Sequence, residues 1–280
     1  SDIVFKSVLH QNSLVNHQRA WGNYMTSKLH SREPKNQSEN DLNQFQRIND
    51  FFLQDGGSFL NKIESFPKYA TRQAIAKFLT KYELFKKIIN VNGSIVEAGV
   101  LHGGGTLAWA KLSSILEPIN HTRRIIGFDT FKGFPSVNEK DERGTDGSLI
   151  KVGELQGSTF DSVAEAISIY DENRPLSHIP KVELIKGDIA QTAPLYLEEN
   201  PHLVVSMLYL DVDLYEPTKA ILQTFLPRMP KGALIVFDEL NAKIFPGETV
   251  AVDEVIGIRN LKIRRFSFDS YVSYAVIENA

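Results

Sequence analysis

From position 94 onward the chain repeats one pattern that leaves few folds open. Short apolar runs at 94–97, 124–128, 181–185, 204–210 and 233–237 mostly end in an acidic or glycine-bearing turn, and helical segments fall between them. The runs are continuous rather than alternating, so each predicts a strand covered on both faces, as in a parallel sheet. Helices are predicted over 106–116, 159–170, 194–199, 217–225 and 249–258. A longer one after Pro67 carries Ile75, Phe78, Leu79, Tyr82, Phe85, Ile88 and Ile89 on one face. The chain closes with runs at 262–268 and 271–277, linked by Asp269-Ser270, which is too short for a parallel crossover. The expected fold is α/β, with a seven-stranded, mostly parallel sheet ending in an antiparallel hairpin.

Residues 1–66 read differently. They are rich in Asn, Gln, Ser and His, and the 31–43 stretch, nearly free of apolar residues, predicts an exposed loop. Trp21, Tyr24 and Met25 cluster before it, and Leu42, Phe45, Ile48 and Phe52 follow at helical spacing until Gly56-Gly57. This predicts a helical appendage, with a lid or homo-oligomer element as the second reading, joined to a catalytic domain over 67–280.

Charge and cysteine usage narrow the function classes. Thirty-one Lys and Arg against 34 Asp and Glu leave a net charge of −3, so no global field recruits nucleic acid or an anionic membrane. The expected partner is a small molecule. With no cysteine there is no disulfide scaffold, thiolate zinc site or thiol nucleophile, and any metal must sit on oxygen or imidazole. The longest apolar stretch, 203–210, is far short of the roughly 20 residues that span a bilayer. A cytoplasmic protein is expected.

In an open parallel sheet ligands bind beyond the carboxyl ends of the strands, so the residues there form the candidate list. The first strand runs from Glu97 into a glycine-rich turn, 99–105, that opens a helix whose free N–H groups suit an anionic group. Gly99 and Gly103 lie four apart, which departs from the dinucleotide fingerprint, and Glu97 would repel a pyrophosphate. Asp129 ends the second strand, where it can accept from ribose hydroxyls. Asp188, after Lys186-Gly187, reads equally as a pocket carboxylate and as a helix N-cap. The strongest constellation is Asp211-Val212-Asp213-Leu214-Tyr215-Glu216-Pro217-Thr218 followed by Asp238-Glu239. Carboxylates crowded on two strand tips repel unless a proton or cation relieves them, and with oxygen ligands only, Mg²⁺ is the natural occupant. Capping by Asp213 or Glu216 is the ordinary alternative.

These blocks, with Gly127-Phe128-Asp129-Thr130-Phe131-Lys132-Gly133-Phe134-Pro135 between them, occur in the order and spacing of macrocin O-methyltransferase-like enzymes. The chain resembles that family over about residues 67–255. The resemblance implies a Rossmann-like class I methyltransferase fold and Mg²⁺- and S-adenosylmethionine-dependent methylation of a sugar hydroxyl. Asp213 would be the base, and Asp211, Asp238 and Glu239 would hold the metal; Glu239 departs from the family's usual Asp. Glu97, Asp129 and Asp188 would lie near the cofactor's aminoacyl end, ribose and adenine, with Gly99, Gly103, Thr130, Gly187 and Asp211 completing its site.

Competing readings are a metal-dependent catechol or phenol methyltransferase, a nucleotide-binding oxidoreductase, and a catalytically silent binding protein. The acceptor pocket is expected from Trp21, Tyr24, the 134–158 loop and the 241–248 turn. The 135–158 stretch exceeds ordinary loop length, which makes it a candidate lid over the acceptor, with a disordered insertion as the equal alternative.

Overall fold

The computed structural model describes residues 38–142 and 150–278. Trp21, Tyr24, Met25 and positions 143–149 of the candidate lid therefore lie outside the described residues. Contacts divide the chain into two compact units, one ending at Thr71 and the other beginning at Arg72.

In the first unit, α1 (Glu39–Gln54) and α2 (Phe59–Glu64) are joined at Ser58, which caps α2 reciprocally with Asn61. Helix α1 begins inside the segment expected to be a loop, because a polar run lacks burial signal without lacking helical propensity. Tyr69 packs on Phe51 and Phe52, ring centroids 5.8 and 5.1 Å away, and its hydroxyl bonds Asp55. These contacts hold the residues just after Pro67 to the first unit.

The second unit opens with α3 (Arg72–Ile88) and continues with β1 (Ser94–Ala98), α4 (Gly104–Leu116), β2 (Ile125–Asp129), α5 (Glu139–Glu142) and α6 (Phe160–Asp171). Then come β3 (Val182–Lys186), α7 (Ile189–Glu199), β4 (Val205–Leu210), α8 (Tyr215–Phe225), β5 (Leu234–Phe237), α9 (Pro246–Val255), β6 (Arg264–Arg265) and β7 (Ser273–Val276). The sheet order is β3-β2-β1-β4-β5-β7-β6. Five strands are parallel; β7 runs antiparallel against β5 and β6. The chain reverses its direction of travel across the sheet between β1 and β4.

Strand parity explains the unbroken apolar runs. Val96, Ile126, Leu208 and Ile235 face the layer built with α7, α8 and α9, through Ile189, Leu222, Phe225 and Val252. Ile95, Ile125, Met207 and Leu234 face the opposite layer, with Phe85 of α3, Trp109 of α4 and Val163 of α6. Period 2 is present, but both phases are buried.

Local differences from expectation have identifiable causes. Helix α3 buries Thr80, Leu84, Phe85 and Ile88, while Phe78 and Leu79 stay 44% and 45% exposed. The packed face is rotated because Thr80 donates to Asp269 at 2.7 Å and so can be buried. Helix α7 starts five residues before Pro194, at a cap that Asp188 provides by accepting the Ala190 N–H at 3.0 Å. Helix α9 starts at Pro246, whose missing N–H costs nothing in the first turn, and stops before Gly257, at φ 82°.

At the amino edge of the sheet, Arg123 is 2% exposed and ties several segments together. Its guanidinium donates to Glu117 (2.8 Å), the Gly93 carbonyl (2.9 Å), Ser206 (2.6 Å) and the carbonyls of Ile88 and Val91 (3.0 Å each). Replacing Arg123 by Met strands Glu117 and these acceptors, and urea unfolding is expected to show a loss of about 3–5 kcal/mol. A loss below about 1 kcal/mol, the scale of an exposed ion pair, would show that this staple contributes little.

Candidate active site

The carboxyl ends of the strands line up, in sheet order, as Gly187-Asp188, Asp129, Gly99, Asp211 to Asp213, and Asp238-Glu239. At the β1/β4 junction the Asp211 N–H donates to the Ala98 carbonyl at 2.9 Å. Gly99, at φ 92°, leaves no room for a Cβ, which would overlap the Asp211 carbonyl oxygen. The two chains then part, β1 into the α4 turn and β4 into the acidic segment.

On the β1–β3 side, Asp129 reaches across to the neighbouring loop. Its Oδ2 accepts from the N–H groups of Val100 and Leu101, both at 2.8 Å, and its Oδ1 from Phe131 at 2.6 Å. Leu101 and Phe131 both have positive φ, 52° and 55°, so one carboxylate clamps two turns that side chains disfavour. Gly103 is the N-cap of α4, at φ 78° and with no side-chain cap, which leaves the helix's first N–H groups directed outward. The Thr130 hydroxyl donates to the Gly133 carbonyl at 2.6 Å, closing the turn after β2, and the Gly187 N–H donates to the Asp129 carbonyl at 2.9 Å.

Glu97 lies apart from this row. It shares the phase of Ile95, so it faces α4, is 2% exposed, and accepts from Thr106 and from Trp109 Nε1, the latter at 3.0 Å. Burial pushes its carboxyl up, while the Lys81 ammonium, 4.8 Å from the Trp109 ring centroid and 4.0 Å from that of Tyr209, opposes the shift.

On the β4–β5 side the carboxylates are buried. Asp213, Asp238 and Glu239 are 5%, 1% and 0% exposed, whereas Asp211 is half-buried. The Tyr209 hydroxyl donates to Asp238 at 2.8 Å; burial, then Asp238 and Asp211, push its phenol well up. Glu248, in the first turn of α9, joins the group unforeseen by the sequence reading. It is fully buried, and one of its oxygens accepts the Glu239 N–H at 3.2 Å while the other has no hydrogen-bond partner. Burial pushes its carboxyl well above the ordinary range, and the charges of Asp238, Glu239 and Asp213 push the same way. An acidic residue just after Pro-Gly at a helix start reads as routine helix-end chemistry, so only its burial beside β5 distinguishes it. Among the described residues, no three of these groups stand where they could hold one metal ion.

Residues 76–270, more than half of the chain, match macrocin O-methyltransferase (TylF). The chain belongs to the macrocin O-methyltransferase family. It is similar to the calicheamicin methyltransferase CalS11 at 30% identity and TM-score 0.82, over 86% of this chain and 93% of that one. The apo form of CalS11, described as a TDP-rhamnose 3'-O-methyltransferase, aligns at 28% identity and TM-score 0.73 over 86% and 95%. The O-methyltransferase NovP shares the fold at 22% identity and TM-score 0.60, covering 74% and 81%. No curated protein sequence matches. Membership makes the chain an S-adenosylmethionine-dependent O-methyltransferase on a class I methyltransferase fold. Among the described residues no helix is long and apolar enough to cross a membrane.

Glu248 gives this family member a pH signature. A carboxyl kept protonated in the fold stabilises it fully below the ordinary carboxylate range, and that contribution is lost as pH rises toward the folded value. Glu248→Gln removes the ionisation and keeps an acceptor for Glu239. In EDTA, melting temperatures are expected to converge near pH ~4 and to favour the variant increasingly toward pH ~8. A difference independent of pH would show that Glu248 is not the titrating group.

Proposed function

We propose that the chain methylates a hydroxyl of a sugar or glycosylated small molecule, with Asp213 as general base and with Mg²⁺ at the acidic strand tips. The carrying observation is the burial of Asp213 just past the tip of β4, the strand next to β5, whose end carries Asp238 and Glu239. The sugar acceptor is supported by the likeness to CalS11, described as a TDP-rhamnose 3'-O-methyltransferase.

For the cofactor, the α4 N-terminus offers N–H groups to a carboxylate, Asp129 stands at the tip of β2 to accept ribose hydroxyls, and Asp188 closes the adenine end beyond β3. The Asp129 lone pairs left by its three amide bonds serve that purpose. S-adenosylmethionine supplies a methyl group already activated by its sulfonium, so the protein's task is alignment and proton removal. Asp213 takes the proton of the acceptor hydroxyl as oxygen bonds to the methyl carbon.

For Mg²⁺, the donor chemistry fits: oxygen ligands only, crowded charge on Asp238, Glu239 and Glu248, and one Glu248 oxygen with no hydrogen-bond partner. Asp211, Asp238 and Glu239 are the ligands proposed, and they would have to draw together to hold the ion, since among the described residues no three of these groups stand around one position. When bound it would lower the acceptor hydroxyl's pKa.

Calorimetric titration is expected to give binding of S-adenosylmethionine and none of NAD⁺. Asp129→Ala should weaken the former by about 1–3 kcal/mol, the scale of hydrogen bonds to a charged group. Unchanged affinity would remove Asp129 from the site.

Asp213→Asn should preserve cofactor binding while kcat with TDP-rhamnose, or with another sugar nucleotide that is turned over, falls about 10²- to 10⁴-fold. A catechol preferred over every sugar would overturn the acceptor class. Wild-type turnover that survives EDTA would sink the metal and leave the base standing.

A further inference from the structure

The chain leaves β4 through a turn that side chains disfavour. Asp213 sits at φ 62°, and across it the Leu214 N–H donates to the Val212 carbonyl at 2.6 Å. An i to i+2 closure over a residue of positive φ is the rare, strained hand of the γ-turn, and it persists only where the surroundings over-determine it. The following residues supply little restraint themselves. Leu214 occupies the N-cap of α8 with an aliphatic side chain, and Pro217 has no N–H to give.

The restraint comes from 74 positions away. Asp141, 1% exposed, accepts the Tyr215 N–H through Oδ1 at 2.7 Å and the Asn138 N–H through Oδ2 at 2.9 Å. It is thus an N-cap supplied in trans to a helix that has none of its own. A latch surrounds it. Lys140 lies 3.9 Å from the Tyr215 ring centroid and 2.5 Å from Glu254, and Glu254 accepts from the Tyr215 hydroxyl at 2.7 Å. Gly247 closes the group, since a Cβ there would overlap Asp141 Oδ1 and stand 2.6 Å from the Tyr215 nitrogen.

We propose that Asp141 is a positioning residue for methyl transfer, fixing the orientation of Asp213 through the Tyr215 amide that directly follows its strained turn. The proposal rests on the reading of Asp213 as the base. Asp141→Ala is expected to lower kcat at least tenfold, with calorimetric affinity for S-adenosylmethionine changed less than twofold. Hydrogen exchange of the Tyr215 amide should accelerate at least tenfold. In an Asp213→Asn background the same change should cost kcat less than twofold, because the side chain it orients no longer acts.

Turnover is followed with the sugar nucleotide that the wild type uses best. Asp141→Asn keeps an oxygen for one of the two amides and should fall between wild type and Asp141→Ala. It carries the same measurements if the alanine variant fails to fold. Equal loss of kcat in both backgrounds, or unchanged exchange and kcat in Asp141→Ala, would overturn the role of Asp141 alone. Wild-type kcat in Asp213→Asn would overturn the base assignment and this proposal with it.

Discussion

Where β1 and β4 run out of the sheet, the carbonyl of Asp211 occupies the space in which a side chain at position 99 would begin. The backbones must touch there because the Asp211 amide continues the ladder onto Ala98, and only a residue without Cβ allows it. That contact closes the floor of the cleft between the two halves of the sheet. From it, one chain turns into the amide-rich start of α4 and the other into the acidic segment. The amide-rich turn and the acidic segment are therefore neighbours by topology, and no loop has to be long to bring them together.

Burying several carboxylates on adjacent strand tips opposes folding unless each is given something to bind. The protein manages the charge unevenly. Asp129 holds three main-chain amides and Asp238 holds the Tyr209 hydroxyl. Glu248 holds one amide and favours its neutral form, so the crowding is partly discharged by a proton. A site arranged in this way has a reserve of negative charge that a bound cation or a reacting hydroxyl can draw out.

Much of this was legible in the sequence, for a physical reason. Runs such as 204–210 are buried on both faces, so their apolarity marks the strands, and the residues that end them mark the cleft. The same reading could not assign direction. Glu97 and Asp129 both end apolar runs and share one strand phase, yet Glu97 lies inside β1, paired with Gly127 and covered by α4, while Asp129 is the last residue of β2 and reaches the neighbouring loop. Glu248 and Asp141 escaped for a different reason. Glu248 accepts the Glu239 amide around a corner and Asp141 the distant Tyr215 amide, and an amide has no sequence letter. The buried face of α3 escaped because a threonine, Thr80, is made apolar enough for the interior only by a partner at Asp269.

Arg123 gathers acceptors from the end of α3, the start of β1 and the body of β4 at the edge of the sheet opposite the cleft. Cohesion is thereby concentrated at one pole and chemistry at the other. The segments after β2 and β5, which frame the cleft, can accumulate substitutions without loosening that remote staple. Change in those segments therefore leaves the cohesion of the sheet untouched, and the separation of the two poles makes the scaffold permissive to divergence.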